Sequence, residues 1–314
     1  MRSPINRREF LLRSGGGFGG LAMSQVLGSE RSIPHHAPKA KRVIQLFMNG
    51  GVSQMDTFDP KPKLKELNGQ AFDPGTGALV ESVTNSPGFK VLASPFEFKQ
   101  HGQSGRWVSN VFPHMAKIVD ELTFLTSMTS KTNVHGLGSY MQNTGFTLPG
   151  FPCMGAWISY GLGNINKDLP EFVVMPDPKG LPYNNLGNFT AGFLPAKHQG
   201  TVINVKSNSP INYLFPPQEA KQITAQSESD GLELLRSLNQ NYAQRFPLDS
   251  ELEARIKSYE LAARMQLSAP HIFDLSGETQ ATKNLYGLEK DTTADFARRC
   301  IIGRRMLENG VRFV

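Results

Sequence analysis

Apolar and polar positions along the chain fall into short β-like runs separated by helical stretches. Arg42–Met48 (Arg-Val-Ile-Gln-Leu-Phe-Met) is β-rich and apolar and predicts the first strand of a buried sheet. It stops at Asn49-Gly50-Gly51, a turn where backbone can approach a ligand closely. Prolines at 60, 62, 74, 87, 95 and 113 mark the next stretch as loop-rich, with a β-like piece near Phe89–Leu92. Pro113 to Glu121 predicts a helix leading into a second apolar strand, Leu122–Met128. Helices follow at about Val134–Asn143 and Pro152–Tyr160, and Glu171–Met175 predicts a third strand closed by Pro176-Asp177-Pro178. Strand, helix, strand, helix, strand at this spacing predicts an α/β fold with a mainly parallel sheet.

Residues 180–217, rich in Asn, Gly and Pro, read as an insertion forming a substrate-side loop region. From Gln218 to Pro270 the period becomes helical, with a Ser250/Glu253 capping box, and predicts a helical pair. Thr293 to Asn309 predicts another helix, with Phe296, Cys300 and Leu307 roughly aligned and Gly310 as its stop. Val311-Arg312-Phe313-Val314 then opens a further buried strand. An αβ unit is opened there and not finished, so the chain is expected to be a fragment of a longer protein or the product of a premature stop.

The N-terminus carries a different signal. Asn6-Arg7-Arg8-Glu9-Phe10-Leu11-Leu12 precedes a weakly apolar, Gly-rich segment to Leu27. Basic, then apolar, then small residues predict a twin-arginine export leader over 1–28, followed by a linker over 29–42. The alternative is an ordinary basic pair in a disordered terminus, and position near Met1, Phe10-Leu11 and the Gly15–Gly20 cluster argue against it. The leader implies a periplasmic or cell-exterior protein and the twin-arginine translocase as a partner. No stretch reaches the roughly 18 uncharged apolar residues that a spanning helix needs, so the mature protein is expected to be soluble, without a transmembrane helix.

Charge sharpens this division. The formal net charge is +6, but eight of the 33 basic and two of the 27 acidic residues lie in 1–42, leaving 25 of each beyond. The body is formally neutral and gives no electrostatic reason to bind nucleic acid. Cys153 and Cys300 are the two cysteines. An oxidising compartment permits a bridge between them, while Cys300, within an amphipathic helix, reads as a small buried apolar residue.

The densest chemistry is Asn49-Gly50-Gly51-Val52-Ser53-Gln54-Met55-Asp56-Thr57-Phe58-Asp59-Pro60, just past the first strand. Ligands in open α/β sheets bind beyond the carboxyl ends of strands. Gly50 and Gly51 let backbone N–H groups face an anion, Ser53 adds a hydroxyl, and Asp56 and Asp59 are hard oxygen ligands for a divalent metal. Equally, Asp56 and Asp59 can cap local backbone in Asx turns, stiffened by Pro60 and Pro62. His135, beside small residues at a strand-to-helix junction, is placed either for metal ligation and proton transfer or for packing under a loop. His198 lacks acidic or Cys neighbours at ligand spacing and reads as surface or loop structure, and Trp107 and Trp157 read as core.

Several motifs together resemble a family. They are Arg7-Arg8-x-Phe10, the 50–62 run above, His135 with Gln142-Asn143-Thr144-Gly145, and Met154-Gly155-Ala156-Trp157-Ile158-Ser159-Tyr160-Gly161-Leu162-Gly163. Leu285-Tyr286-Gly287-Leu288 and Arg304–Val314 complete the set. The chain resembles the exported bacterial family called domain of unknown function 1501, common in planctomycete-like bacteria and often described as sulfatase-like. The resemblance covers the leader to Val314. It implies an alkaline phosphatase/sulfatase-like α/β sandwich over 43–314, incomplete at its C-terminus, with about 150 further residues beyond.

The same resemblance implies an exported, metal-dependent hydrolase-like protein acting on a sulfate or phosphate ester. Asp56, His135 and Asp59 would hold a divalent metal, and Gly50, Gly51 and Ser53 would cradle the anion. His135 would act as catalytic acid, base or nucleophile. Two positions depart from the wider superfamily: Asn49 stands where its enzymes place a metal-binding Asp, and His135 stands in the nucleophile slot. Those departures favour the rival expectation, a non-catalytic periplasmic or surface protein that binds an anionic ester or a sulfated polysaccharide on a degenerate scaffold.

Overall fold

The computed structural model describes residues 37–72, 90–177, 183–205, 224–245, parts of 256–265, and 270–314. The leader, most of the linker and the Ser250/Glu253 box lie outside the described residues. The chain divides into two compact units, one formed by residues up to Phe47 with Ser139–Val314, the other by Met48–Gly138.

The first unit is built on a parallel ladder. β3 (Val173–Val174) and β4 (Thr201–Val202) pair in parallel, and Phe313 bridges in parallel to Phe172 on one side and Val43 on the other. The Val173 N–H donates to the Phe313 carbonyl at 2.9 Å, and the Val43 N–H donates to the Arg312 carbonyl at 2.9 Å. Along the ladder the extended segments therefore run 43–45, 312–314, β3, β4. The strand opened at Val311 is interior, as is β3, in keeping with their apolar runs.

Side chains alternate between two cores, as a strand period of two dictates. Val173 and Val314 join a cluster with Ile301, Ile302 and Met306, while Phe172, Val174 and Phe313 join another with Cys153 and Ala156. Helices thus cover both faces, which makes this unit an α/β arrangement. The numbered helices are α1 (Pro62–Glu66), α2 (His135–Thr144), α3 (Met154–Leu162), α4 (Ala225–Arg245), α5 (Pro270–Phe273), α6 (Gln280–Tyr286) and α7 (Ala294–Glu308).

α7 buries Ala297, Ile301, Ile302 and Met306, each at most 1% exposed. It ends in a Schellman turn: the Val311 N–H donates to the Met306 carbonyl and the Gly310 N–H to the Leu307 carbonyl. Gly310 has φ +99°, a conformation that strongly favours glycine there. α3 approaches the ladder through Gly155, where a Cβ would lie 2.5 Å from the Phe172 ring. Cys153 and Cys300 are free thiols, and burial pushes the Cys153 thiol up to about 11.

Three expectations are corrected here. Arg42–Met48 is not buried: Val43, Ile44, Leu46 and Met48 are all exposed, because Val43 bridges on one side only among the described residues. The 180–217 insertion is not loop alone, since β4 lies within it and the Ile203 N–H donates to the Val174 carbonyl at 2.9 Å. Leu122–Met128 forms no strand, with Leu125 and Met128 about 70% exposed and Phe124 packed against a small aromatic cluster. Leu122 and Phe124 are half-buried and the other five residues exposed, and among the described residues no strand pairs with the run.

The second unit centres on an antiparallel hairpin, β1 (Phe98–His101) and β2 (Arg106–Ser109), with Phe98 opposite Ser109 and His101 opposite Arg106. Val108, Ala116 and Val119 form its buried cluster, with Phe58, Phe112 and Phe124 packed against them. The segment expected as a helix before Glu121 is a 3-10 helix over Met115–Glu121.

Candidate functional site

The Gly-Gly…Asp run folds into a loop fastened to β2. Gln54–Asp56 is one turn of 3-10 helix, and the Ser53 carbonyl accepts the Asp56 N–H at 3.1 Å and the Thr57 hydroxyl at 2.8 Å. Thr57 is buried, and its carbonyl accepts the Ser109 N–H at 2.8 Å. Phe58 then stacks flat on Phe112, with ring centroids 5.4 Å apart, and lies tilted against Phe124. Loop and hairpin are therefore one packed body, held by a buried backbone bond and an aromatic stack.

The residues singled out from the sequence are placed unevenly. Gly50, Gly51 and Ser53 are exposed, and the Gly51 N–H closes a turn onto the Met48 carbonyl at 3.3 Å. Asp56 is half-buried at the end of the 3-10 turn. Asp59 is ion-paired to Lys61 at 2.7 Å. His135 is exposed at the first position of α2. A divalent metal needs several oxygen or nitrogen ligands converging on one point. Among the described residues no three His, Cys, Asp or Glu side chains gather in that way. The donor set named from the sequence does not, as it stands, fit a closed metal site.

What the loop and hairpin do form is an open cleft of about 590 Å³. Phe58, Asp59 and Pro60 line it from the loop, Ser104, Arg106 and Trp107 from the hairpin, with Thr126 beside them. Its volume lies within the range of small-ligand sites. Trp107 is 43% exposed, which corrects its reading as a core residue. Val108 and Ser109, which follow it on β2, are both buried, while the indole stays exposed. The Arg106 guanidinium sits 4.7 Å from the centre of the Phe124 ring, a cation–π contact that holds it in place.

The turn that delivers Ser104 and Arg106 is clamped by Asp120. Its carboxylate accepts the Gln103 N–H at 2.8 Å and the Ser104 N–H at 2.9 Å. Those backbone bonds, Ser104's first, hold the Asp120 carboxyl below the usual range. A Cβ on Gly102 would lie 2.5 Å from Asp120 Oδ1, so the close approach requires glycine at this φ of +66°. Asp59 stands out as a candidate from the sequence, whereas the places of Arg106, Trp107 and Asp120 do not. The available signal was Gly102-Gln103-Ser104-Gly105 between two β-like runs, a hairpin signature.

A second polar cluster lies in the α/β unit. Ser159 on α3 hydrogen-bonds to the Glu171 carboxylate, and its Oγ lies 2.7 Å from His198 Nδ1. His198 is 8% exposed, not a surface loop residue, and Tyr160 meets it edge-on. With Ser159 donating to Glu171, the serine oxygen accepts from His198 Nδ1–H. That direction leaves His198 Nδ1, the nitrogen facing the serine, no lone pair with which to take its proton, the reverse of an activated nucleophile. Ser159 is also 1% exposed, out of reach of a substrate. This cluster pins α3 to the segments leading into β3 and β4.

The fold is mixed helix and strand, with a parallel ladder covered on both faces in one unit and a hairpin with a cleft in the other. A family model described as "Protein of unknown function (DUF1501)" matches residues 40–314, and the chain belongs to that family. No curated protein and no solved structure matches it.

Proposed function

We propose that this chain is an exported member of its family that binds an anionic ester, a sulfate or a phosphate, on an α/β scaffold of the alkaline phosphatase/sulfatase type. The described residues act in binding and not in bond cleavage. One observation carries this reading: Asp59, the candidate nearest the cleft, is neutralised by Lys61, while Arg106 lines the same cleft with no carboxylate partner among the described residues. A fixed guanidinium is suited to a sulfate or phosphate group, which it meets with paired N–H donors. The Arg7-Arg8 pair and the Gly-rich segment after it support export to the periplasm or the cell exterior.

The test is calorimetric titration of the protein with 4-nitrophenyl sulfate and 4-nitrophenyl phosphate. Binding that Arg106→Gln weakens at least tenfold, with no release of nitrophenol, supports the reading. Binding that is unchanged in the variant overturns it.

Metal-dependent hydrolysis is the second reading, and Asp56 favours it. Its carboxylate is half-buried at the end of the Gly-Gly loop and has no side-chain partner among the described residues. Elemental analysis decides between the two. Stoichiometric metal that an Asp56→Ala, His135→Ala double variant loses, together with release of nitrophenol by the parent, supports the hydrolase reading. Equal metal in parent and variant removes Asp56 and His135 as ligands.

A further inference from the structure

We infer that Asn49 is a site of self-modification, at which the Gly50 backbone nitrogen closes on the Asn49 carboxamide and an aspartate or isoaspartate replaces the asparagine. The inference is independent of the anionic-ester reading and concerns the turn that leads into the Asp56 loop.

Asparagine followed by glycine closes such a ring readily, because no Cβ on the next residue shields the attacking nitrogen. The chain holds three such steps, Asn49-Gly50, Asn68-Gly69 and Asn309-Gly310. The structure separates them by what holds the two reacting groups. At the third step both groups are held. Asn309 Nδ2 donates to the Arg305 carbonyl at 2.8 Å, and its Oδ1 lies 3.1 Å from His271 Nε2. The buried Gly310 N–H donates to the Leu307 carbonyl at 3.1 Å. Asn68 is exposed, yet its Oδ1 accepts the Ala93 N–H at 2.9 Å and the Gly69 N–H donates to the Val91 carbonyl at 2.9 Å. Asn49 and Gly50 are both exposed, and neither the carboxamide nor the Gly50 N–H makes a hydrogen bond among the described residues. The turn around them is closed by the 3.3 Å bond from the Gly51 N–H to the Met48 carbonyl, so bringing the Asn49 side chain onto Gly50 costs at most one weak hydrogen bond.

A backbone N–H that donates a hydrogen bond gives up its proton only when that bond opens, the property that slows amide hydrogen exchange. Gly50 lacks that protection. Loss of its proton to hydroxide lets the nitrogen attack Asn49 Cγ: the N–Cγ bond forms, the Cγ–Nδ2 bond breaks and ammonia leaves. Water then opens the five-membered imide. Attack at Cγ gives aspartate, and attack at the main-chain carbonyl gives isoaspartate, with the chain rerouted through Cβ and Cγ. The sum is one water taken up and one ammonia released, with no oxidant or cofactor. Either product sets a carboxylate directly before Gly50-Gly51 and adds one negative charge to a body that is formally neutral beyond residue 42. Isoaspartate also lengthens the main chain inside the turn that the Gly51 N–H closes. The folded protein thus passes with time from a neutral to an acidic form of this loop.

The experiment incubates the folded full chain in mildly alkaline buffer and follows all three asparagines by peptide mapping, with mass spectrometry that distinguishes aspartate from isoaspartate. A parallel sample is held unfolded in guanidinium chloride. In the folded protein Asn49 is expected to lose its amide at least tenfold faster than Asn68 and Asn309, with isoaspartate among the products. Unfolded, the three rates are expected to converge, because the hydrogen bonds that guard Asn68 and Asn309 are gone. Asn49→Gln is expected to abolish the acidic form that isoelectric focusing of the incubated folded protein resolves. The inference fails if Asn68 or Asn309 reacts as fast as Asn49 in the folded chain. It fails equally if the three rates stay apart after unfolding, or if unfolding speeds Asn49 more than tenfold. Each of those failures leaves the anionic-ester reading standing.

Discussion

Ser159 Oγ lies 2.7 Å from His198 Nδ1, and the pair meets the Glu171 carboxylate to form a buried polar link between α3 and the strands. Burial alone would raise the Glu171 carboxyl. Hydrogen bonds from His198 and Ser159, with the fields of His198 and Lys197, outweigh it and hold the group below its ordinary value. A carboxyl depressed on folding stabilises the native state above its unfolded pKa, and that contribution is lost as pH falls through the folded value. Thermal melts from pH 7 down to pH 3 should show stability falling on the acid side of the ordinary carboxylate range. Glu171→Gln should flatten that limb, and an unchanged slope in this variant would remove the link as the source.

Ile301 is fully buried where α7 faces the ladder. Ile301→Ala removes buried methyl groups and leaves a cavity, a change that costs about 2–5 kcal/mol. Urea unfolding should show a lower midpoint with an unchanged slope. A loss below about 1 kcal/mol would mean that the site collapses around the smaller side chain.

Gly155 allows α3 to lie directly on Phe172. Gly155→Ala inserts a methyl group where the ring already is, and overpacking of this kind costs about 1–3 kcal/mol, more than alanine recovers through helix propensity. Pairing it with Phe172→Leu should recover part of the loss, giving a non-additive double-mutant cycle. Strict additivity would show that the two positions do not touch.

Asp120 fixes the turn that carries Ser104 and Arg106 into the cleft. Asp120→Ala should speed hydrogen exchange at the Gln103 and Ser104 amides and weaken anion binding severalfold, with global stability little changed. Exchange rates equal to the parent would rule out the clamp.

Arg7 and Arg8 are expected to direct export. Arg7→Lys with Arg8→Lys conserves charge but removes the guanidinium pair, so the protein should remain in the cytoplasm by cell fractionation. Export at the parental level would identify the pair as an ordinary basic terminus.

The α/β character of the larger unit was legible because buried strands there keep near-continuous apolar runs. Glu171–Met175 and Val311–Val314 both stand out in that way, and Gly310 marks the helix stop before the second. Leu122–Met128 shows the limit of the same signal, since an apolar run becomes a strand only if a neighbour pairs with it, and pairing is non-local. β4 went unseen for the converse reason: Thr201-Val202 is too short to carry a period of its own, and its register comes from Phe172 and Val174. At the site, Asp59 was legible from its loop. Trp107 and Arg106 were not, because their exposure depends on Val108 taking the inward face and on Phe124 rising to meet the guanidinium.

Phe313 carries a consequence for the order in which the chain can acquire its shape. Its segment lies between residues 43–45 and β3, so it is a late-made piece set into the middle of early-made ones. A ribosome emits Val43 some 270 residues before Phe313. Throughout that interval Val43 and Phe172 lack the neighbour that joins them in the ladder, and the apolar faces of 43–48 and β3 have to be kept apart from other chains. Assembly of this ladder is post-translational with respect to residue 313, dominated by long-range contacts and correspondingly slow.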